Sequence, residues 1–187
     1  MKTKVFAVID TNVLISATLS HGNAPFSILQ KIDEGNIIPV FDKRMLCEYY
    51  EVFHYPKFKD KISEDVFHAL FVKIMKSGIL LNDVEQTKIM LADQDDIPFF
   101  EVKCSSPELD TLLVTGNLKH YPDDPYIVSP KELLVLMHQM DRFLQRDYDY
   151  GSMIEQLMRT NLATSKYSRG ENLLEQHEVE TDDYERE

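Results

Sequence analysis

The run Val5-Phe6-Ala7-Val8-Ile9 constrains this chain more than any other stretch. Five consecutive apolar residues suit a strand buried on both faces of a parallel sheet. The run stops at Asp10-Thr11-Asn12, and Val13, Leu14 and Ile15 then resume the apolar pattern at helical spacing. An acid, a hydroxyl and an amide thus stand where a strand hands over to a helix. In open α/β sheets that carboxyl edge is where ligands bind. Taking Asp10 out of water there is costly unless positive charge compensates, and a bound metal ion is one such charge. The plainer alternative makes Asp10 the N-cap of the next helix, with Asn12 a turn former and Thr11 a local capping hydroxyl.

Further strand and helix signals follow in alternation. Asn23-Ala24-Pro25 opens a helix with Phe26, Ile28, Leu29 and Ile32 on one face, and Gly35 closes it. Ile37-Ile38-Pro39-Val40-Phe41 reads as a strand near a sheet edge, because Pro39 cannot donate to a ladder. Asp42 caps a helix with Leu46, Tyr49, Tyr50 and Phe53 inward. Ser63 opens another, with Val66, Leu70, Phe71 and Ile74 inward, and Ile79-Leu80-Leu81 is a third strand. A short helix follows Pro98, with Asp96 placed to cap it. Thr111-Leu112-Leu113-Val114-Thr115 and Tyr126-Ile127-Val128 are the last strands. Ser129-Pro130-Lys131-Glu132 then has the form of a capping box and opens a helix reaching about Phe143. Strands alternating with helices predict an α/β fold, a parallel sheet sandwiched between helical layers.

Composition bounds the rest. With 187 residues, 43% of them hydrophobic, the chain can build one sizeable core. No apolar run is long enough to span a membrane, and the opening one is too short for a secretory signal. Cys47 and Cys104 lack metal-ligand spacing and read as small core hydrophobes, so the cytoplasm is the expected compartment. The net charge of −12 opposes nucleic-acid binding, but it is unevenly spread. Residues 1–142 carry 21 acids to 15 bases, residues 143–187 eleven acids to five bases, so the short tail holds half the excess. The expected organisation is therefore a folded domain over 1–142 and an acidic extension over 143–187. In that extension Met153, Ile154, Leu157 and Met158 are spaced for one amphipathic helix.

Acids supply the candidate chemistry. Glu48 lies on the flank of its helix's apolar face, and its plainest role is a solvated acid paired with Lys43 or Arg44. Asp93, Asp95 and Asp96 crowd the approach to the next helix, where they repel one another unless a cation sits nearby. Thr115-Gly116-Asn117 ends the strand expected beside the first, so a second polar strand end faces the edge that carries Asp10. Lys119 and His120 follow, within reach of a phosphate. There is no His-x-x-x-His pair, no nucleophile elbow and no phosphate-binding glycine loop. Hard oxygen donors alone select Mg²⁺ or Mn²⁺ over Zn²⁺.

Taken in order, Ile9-Asp10-Thr11-Asn12-Val13-Leu14, Leu46-Cys47-Glu48-Tyr49, Asp93-Gln94-Asp95-Asp96-Ile97-Pro98-Phe99 and Leu113-Val114-Thr115-Gly116-Asn117-Leu118-Lys119-His120 resemble the PIN-domain ribonucleases. The resemblance spans about residues 3–140 and is nearest the branch described as toxin components of toxin–antitoxin systems. It implies a PIN-like three-layer α/β/α sandwich and metal-dependent endonucleolytic hydrolysis of RNA. Asp10, Glu48 and Asp96 become the acidic metal ligands, Asn117 a ligand where the wider family often has a fourth acid, and Thr115 the hydroxyl beside it. Asn12, Asp93 and Asp95 are secondary candidates, outer-shell or alternate. An antitoxin protein and a second copy of the chain are the partners it implies besides RNA. Two rivals stand beside it: a non-catalytic PIN-like interaction module, and a phosphatase of the haloacid dehalogenase type. The latter usually has a second Asp where this chain has Asn12.

Overall fold

A computed structural model describes residues 3–106, 110–144 and 159. Met1–Asp147 form one compact unit and Tyr148–Glu187 another. The helix expected over residues 153–158 lies outside the described residues. Five parallel strands make the sheet of the first unit: β1 (Val5–Ile9), β2 (Ile37–Phe41), β3 (Ile79–Leu80), β4 (Leu112–Val114) and β5 (Ile127–Val128), in the order β3-β2-β1-β4-β5. Among the described residues seven helices connect or follow them: α1 (Thr11–Leu19), α2 (Ala24–Asp33), α3 (Lys43–Phe53), α4 (Pro56–Lys59), α5 (Glu64–Ser77), α6 (Ile97–Cys104) and α7 (Pro130–Leu144). The result is a PIN-like α/β/α sandwich.

The opening apolar run becomes the central strand. Ala7 and Val8 have no exposed surface, and β1 pairs with β2 on one side and β4 on the other. From β1 the chain first winds outward through β2 and β3, then returns to add β4 and β5 on the far side. The order therefore reverses between β1 and β4, which opens a crevice at the carboxyl ends of those two strands. The register runs on past the strand ends, because the Asp10 amide donates to the Val114 carbonyl over 2.9 Å. Asp10 and Thr115 thereby face each other across the switch point.

Pro39 does not put β2 at the edge. It sits opposite Ala7 of β1, and β3 pairs only with Val40 and Phe41, beyond the missing N–H. A very short outer strand resolves the conflict between proline and an inner position.

The helices begin where their caps say. The side chains of Asn23, Asp42 and Ser63 accept amide protons at the starts of α2, α3 and α5, and Ser129 and Glu132 exchange hydrogen bonds across the start of α7. Gly35 closes α2 at φ +68°, a conformation that costs glycine no Cβ clash. Two helix faces turn differently from their expected spacing. On α3 the buried residues are Met45, Tyr49 and Phe53 while Tyr50 is exposed; on α5 they are Phe67, Leu70 and Ile74 while Val66 is exposed. Both helices start in polar turns whose apolar residues offer two overlapping stripes, and packing on the sheet selects one. The cysteines also depart from expectation, since both thiols are exposed and free. Among the described residues no helix is long and apolar enough to cross a membrane.

Candidate functional site

Asp10 is 2% exposed, and it is held from two sides. Its Oδ1 accepts the Asn12 amide proton over 2.9 Å, and its Oδ2 accepts the Thr115 hydroxyl proton over 2.6 Å. It is thus the N-cap of α1, as the plain reading has it, and also part of a larger cluster. Thr115 has no exposed surface and serves twice, because its Oγ1 also accepts the Asn117 amide proton over 3.0 Å. Burial raises the Asp10 carboxyl above its ordinary value against the two hydrogen bonds, and the nearby Asp96 charge adds to the rise.

Glu48 arrives from α3. The buried Tyr49 hydroxyl donates to the Ile9 carbonyl over 2.5 Å, which pins that helix to the end of β1. The neighbouring Glu48 Oε1 accepts the Thr11 hydroxyl proton over 2.6 Å. This corrects two expectations. Thr11 is a cross-helix donor to Glu48 and not a local cap, and Glu48 is not the partner of Arg44. The Arg44 guanidinium instead bridges Asp42 and the buried Glu101 over 2.7 and 2.5 Å. Partial burial, with the charges of Asp10, Asp95 and Asp96 behind it, pushes the Glu48 carboxyl up to about 7.

Asp96 occupies the N-cap position of α6, yet its side chain makes no capping bond. Its Oδ2 meets His120 Nδ1 at 2.9 Å, which overturns the expectation that it caps the helix. A 3₁₀ turn over Leu118–His120 delivers that imidazole. Asp93 and Asp95 are both exposed, and Asp93 Oδ1 accepts the Asp95 amide proton over 3.1 Å. Donor atoms of Asp93, Asp96 and His120 all lie within 4.8 Å of one another.

Asn117 joins through its backbone amide, and Asn12 likewise, its side chain being exposed. Tyr121 was not a sequence candidate. Its hydroxyl is buried and faces the Asp96 carboxylate. Burial first, then the charges of Asp10, Asp96 and Glu48, holds that phenol far above its usual range. No local pattern in the sequence marks Tyr121 or the His120 contact, because both depend on where a turn after β4 meets α6.

The fold therefore brings Asp10, Glu48, Asp95 and Asp96 within range of one another's charge, around the crevice where the strand order reverses. The PIN-domain family model matches residues 7–119, a stretch that contains every one of these acids. The chain belongs to the PIN-domain family. No curated protein and no solved structure matches it. PIN domains are generally nucleases that use divalent metals, so the architecture here is a nuclease fold. Membership also leaves the haloacid dehalogenase alternative without support. The PIN donor set fits such an ion, since buried carboxylates whose proton affinity is raised by burial and mutual repulsion are relieved by positive charge.

Proposed function

We propose that this PIN domain is a metal-dependent endoribonuclease, with Asp10, Glu48 and Asp96 holding Mg²⁺ or Mn²⁺ and Asn117 beside them at the rim. One observation carries the reading: acids from distant parts of the chain meet at a single crevice, where Asp96 adds to the rise of the Asp10 carboxyl and the charges of Asp10 and Asp96 add to that of Glu48, with the His120 imidazole against Asp96. The chemistry a divalent ion supplies there, when bound, is acidification of water and neutralisation of phosphodiester charge.

The chain's own residues set the geometry. Thr115 and the Asn12 amide fix both Asp10 oxygens, so that carboxylate cannot swing away from the crevice. Thr11 fixes Glu48 through its Oε1. Preorganised ligands lose little freedom when the ion arrives, which keeps binding energy for the transition state. RNA enters as the substrate, single-stranded segments first because their phosphates are the most accessible.

The same reading assigns the chain to the toxin side of a toxin–antitoxin pair, acting in the cytoplasm, with an antitoxin protein as its inhibitor and a homodimer as its assembly. Residues 143–187 form an acidic extension outside the nuclease domain of 1–142. The deciding experiment incubates the purified chain with a mixed RNA pool and Mn²⁺ or Mg²⁺, with and without chelator, beside Asp10→Asn. Metal-dependent cleavage lost in the variant supports the proposal; cleavage that ignores either change removes it.

A further inference from the structure

We propose that the elbow between α3 and α5 docks single-stranded RNA, its bases on aromatic rings and its phosphates on Lys57, Lys59 and Lys61. It rests on the ribonuclease reading for its ligand, and it uses none of the crevice acids. In a chain of net charge −12, residues 57–61 carry three lysines against one acid, Asp60. All three lysines are exposed. Lys31, Arg44, Lys73 and Lys103 each lie against a carboxylate, whereas among the described residues no ion pair engages Lys57, Lys59 or Lys61.

Aromatic rings are interleaved with these lysines. Tyr55 is 45% exposed, and Lys57 Nζ lies 5.8 Å from its ring centre and 4.8 Å from that of Phe58. Pro56 holds Tyr55 in extended backbone and starts the one-turn α4, and the Tyr55 side chain makes no capping bond. The Lys61 and Ile62 amides both donate to the Phe58 carbonyl, over 2.8 and 2.9 Å, which fixes the turn that presents the lysines. Beside it opens a cleft of about 260 Å³, lined by the buried Phe53, Ile62 and Phe67 together with Lys59, His54 and Glu64. The Glu64 carboxylate is 3.3 Å from His54 Nε2.

This chemistry selects the ligand. An acidic polypeptide would need the lysines alone. Rings set between cations fit a strand whose bases stack while its backbone carries the charge. Duplex RNA keeps its bases paired and stacked inside, and so meets only the lysines. An apolar cleft with a few polar groups suits one unstacked base, with Lys59 taking its phosphate. Glu48 stands on the same helix six residues before His54, about 9 Å of helical rise, so RNA held at the elbow lies a few nucleotides from the crevice.

The test uses the full chain in chelator, where no metal bridges protein to phosphate, and fluorescence anisotropy of a labelled, mixed-sequence RNA single strand. Affinity is expected to fall with salt at a logarithmic slope of about −2, the value for three phosphate contacts on a single strand. Lys57→Gln, Lys59→Gln and Lys61→Gln combined should weaken binding at least about tenfold and flatten that slope. Tyr55→Ala should weaken it about fivefold or more, the loss of one stacked base, while Tyr55→Phe keeps wild-type affinity. A duplex of the same sequence should bind more weakly and be indifferent to Tyr55→Ala. All four side chains are exposed, so the variants report on binding and not on folding. The proposal fails if the single strand does not bind, or if the lysine variant or Tyr55→Ala binds it as wild type does. It fails too if polyglutamate displaces the RNA as well as unlabelled RNA does, which would make the elbow a dock for an acidic protein. Unchanged binding in these variants beside intact metal-dependent cleavage overturns this proposal alone. RNA held by the elbow without metal-dependent cleavage supports it and overturns the nuclease reading.

Discussion

Thr115 Oγ1 lies 2.6 Å from Asp10 Oδ2, a contact across 105 residues of sequence, and it is what ties the end of β4 to the end of β1 on the side-chain level. Both groups are buried, so removing the donor strips a carboxylate oxygen of its partner where water does not replace it. Thr115→Val is expected to lower unfolding free energy by about 1–3 kcal/mol. Thr115→Ser keeps the hydroxyl and should lose much less. Denaturant titration of the two metal-free variants checks the difference, and equal losses would mean that the methyl group, not the hydroxyl, matters.

Asp10→Asn separates ligand from scaffold. The substitution removes a buried charge while an amide keeps the shape, so the metal-free melting temperature should hold or rise. What should vanish is stabilisation by metal. At a Mn²⁺ concentration of 100 times Kd the wild-type protein gains about 2.7 kcal/mol, visible as an upward shift in Tm that the variant lacks. A full shift in Asp10→Asn would take this residue out of the ligand set.

Glu48 makes stability depend on pH in a stated direction. The folded protein holds that proton up to about pH 7, against an ordinary value of 4.5. Between those values the folded state binds more protons than the unfolded chain, so stability falls as pH rises through the window. The raised Asp10 carboxyl acts in the same sense. Melting in chelator should therefore drop between pH 4.5 and about 7, and Glu48→Gln should flatten the drop. Metal binding runs the other way, tightening with pH as the proton is displaced.

Arg44 guards a buried acid away from the site. Glu101 is 2% exposed and is satisfied by the Arg44 guanidinium and the Thr87 amide, the latter over 2.7 Å. Removing the arginine leaves a buried carboxylate against one amide alone. Arg44→Met should cost about 2–4 kcal/mol, below the full cost of breaking a buried pair because the guanidinium is itself half-exposed. Adding Glu101→Gln should recover part of it, since the amide oxygen can still accept from Thr87. A double-mutant cycle in urea measures the recovery, and additive losses would refute the pairing argument.

Gly78 is a steric requirement. It ends α5 in extended backbone, and a Cβ there would press on the Phe41 ring and lie 2.7 Å from the Pro39 carbonyl oxygen. Those atoms belong to β2, which cannot retreat without disturbing β1. Gly78→Ala should destabilise by about 1–3 kcal/mol despite its better helix propensity. Chemical denaturation gives the value, and an unchanged midpoint would show that the backbone yields more easily than the geometry implies.

Local signals made the architecture legible, and long-range ones did not reach the site's wiring. A five-residue apolar run, caps at Asn23, Asp42, Ser63 and Ser129, and Pro25 and Pro130 carry their meaning within a few residues, so strands and helices fall where the chain announces them. The rotation of α3 and α5 escapes because both carry more apolar residues than one face can bury. Thr11 to Glu48 and Asp96 to His120 escape for another reason. Each joins two elements whose approach is set by the sheet, and neither residue's neighbours in sequence encode it. The cysteines escape because residue type predicts burial only on average, and here helical phase turns both outward.

The central place of β1 orders events during synthesis. A nascent chain stopped anywhere before Leu112 has β1 open along one side, and Asp10 then lacks both the Val114 carbonyl beside it and the Thr115 hydroxyl. Translation must therefore run through three fifths of the protein before the crevice exists at all. The ribonuclease proposed here would be made on an RNA template, and such a delay would spare the ribosome holding the unfinished polypeptide its blade.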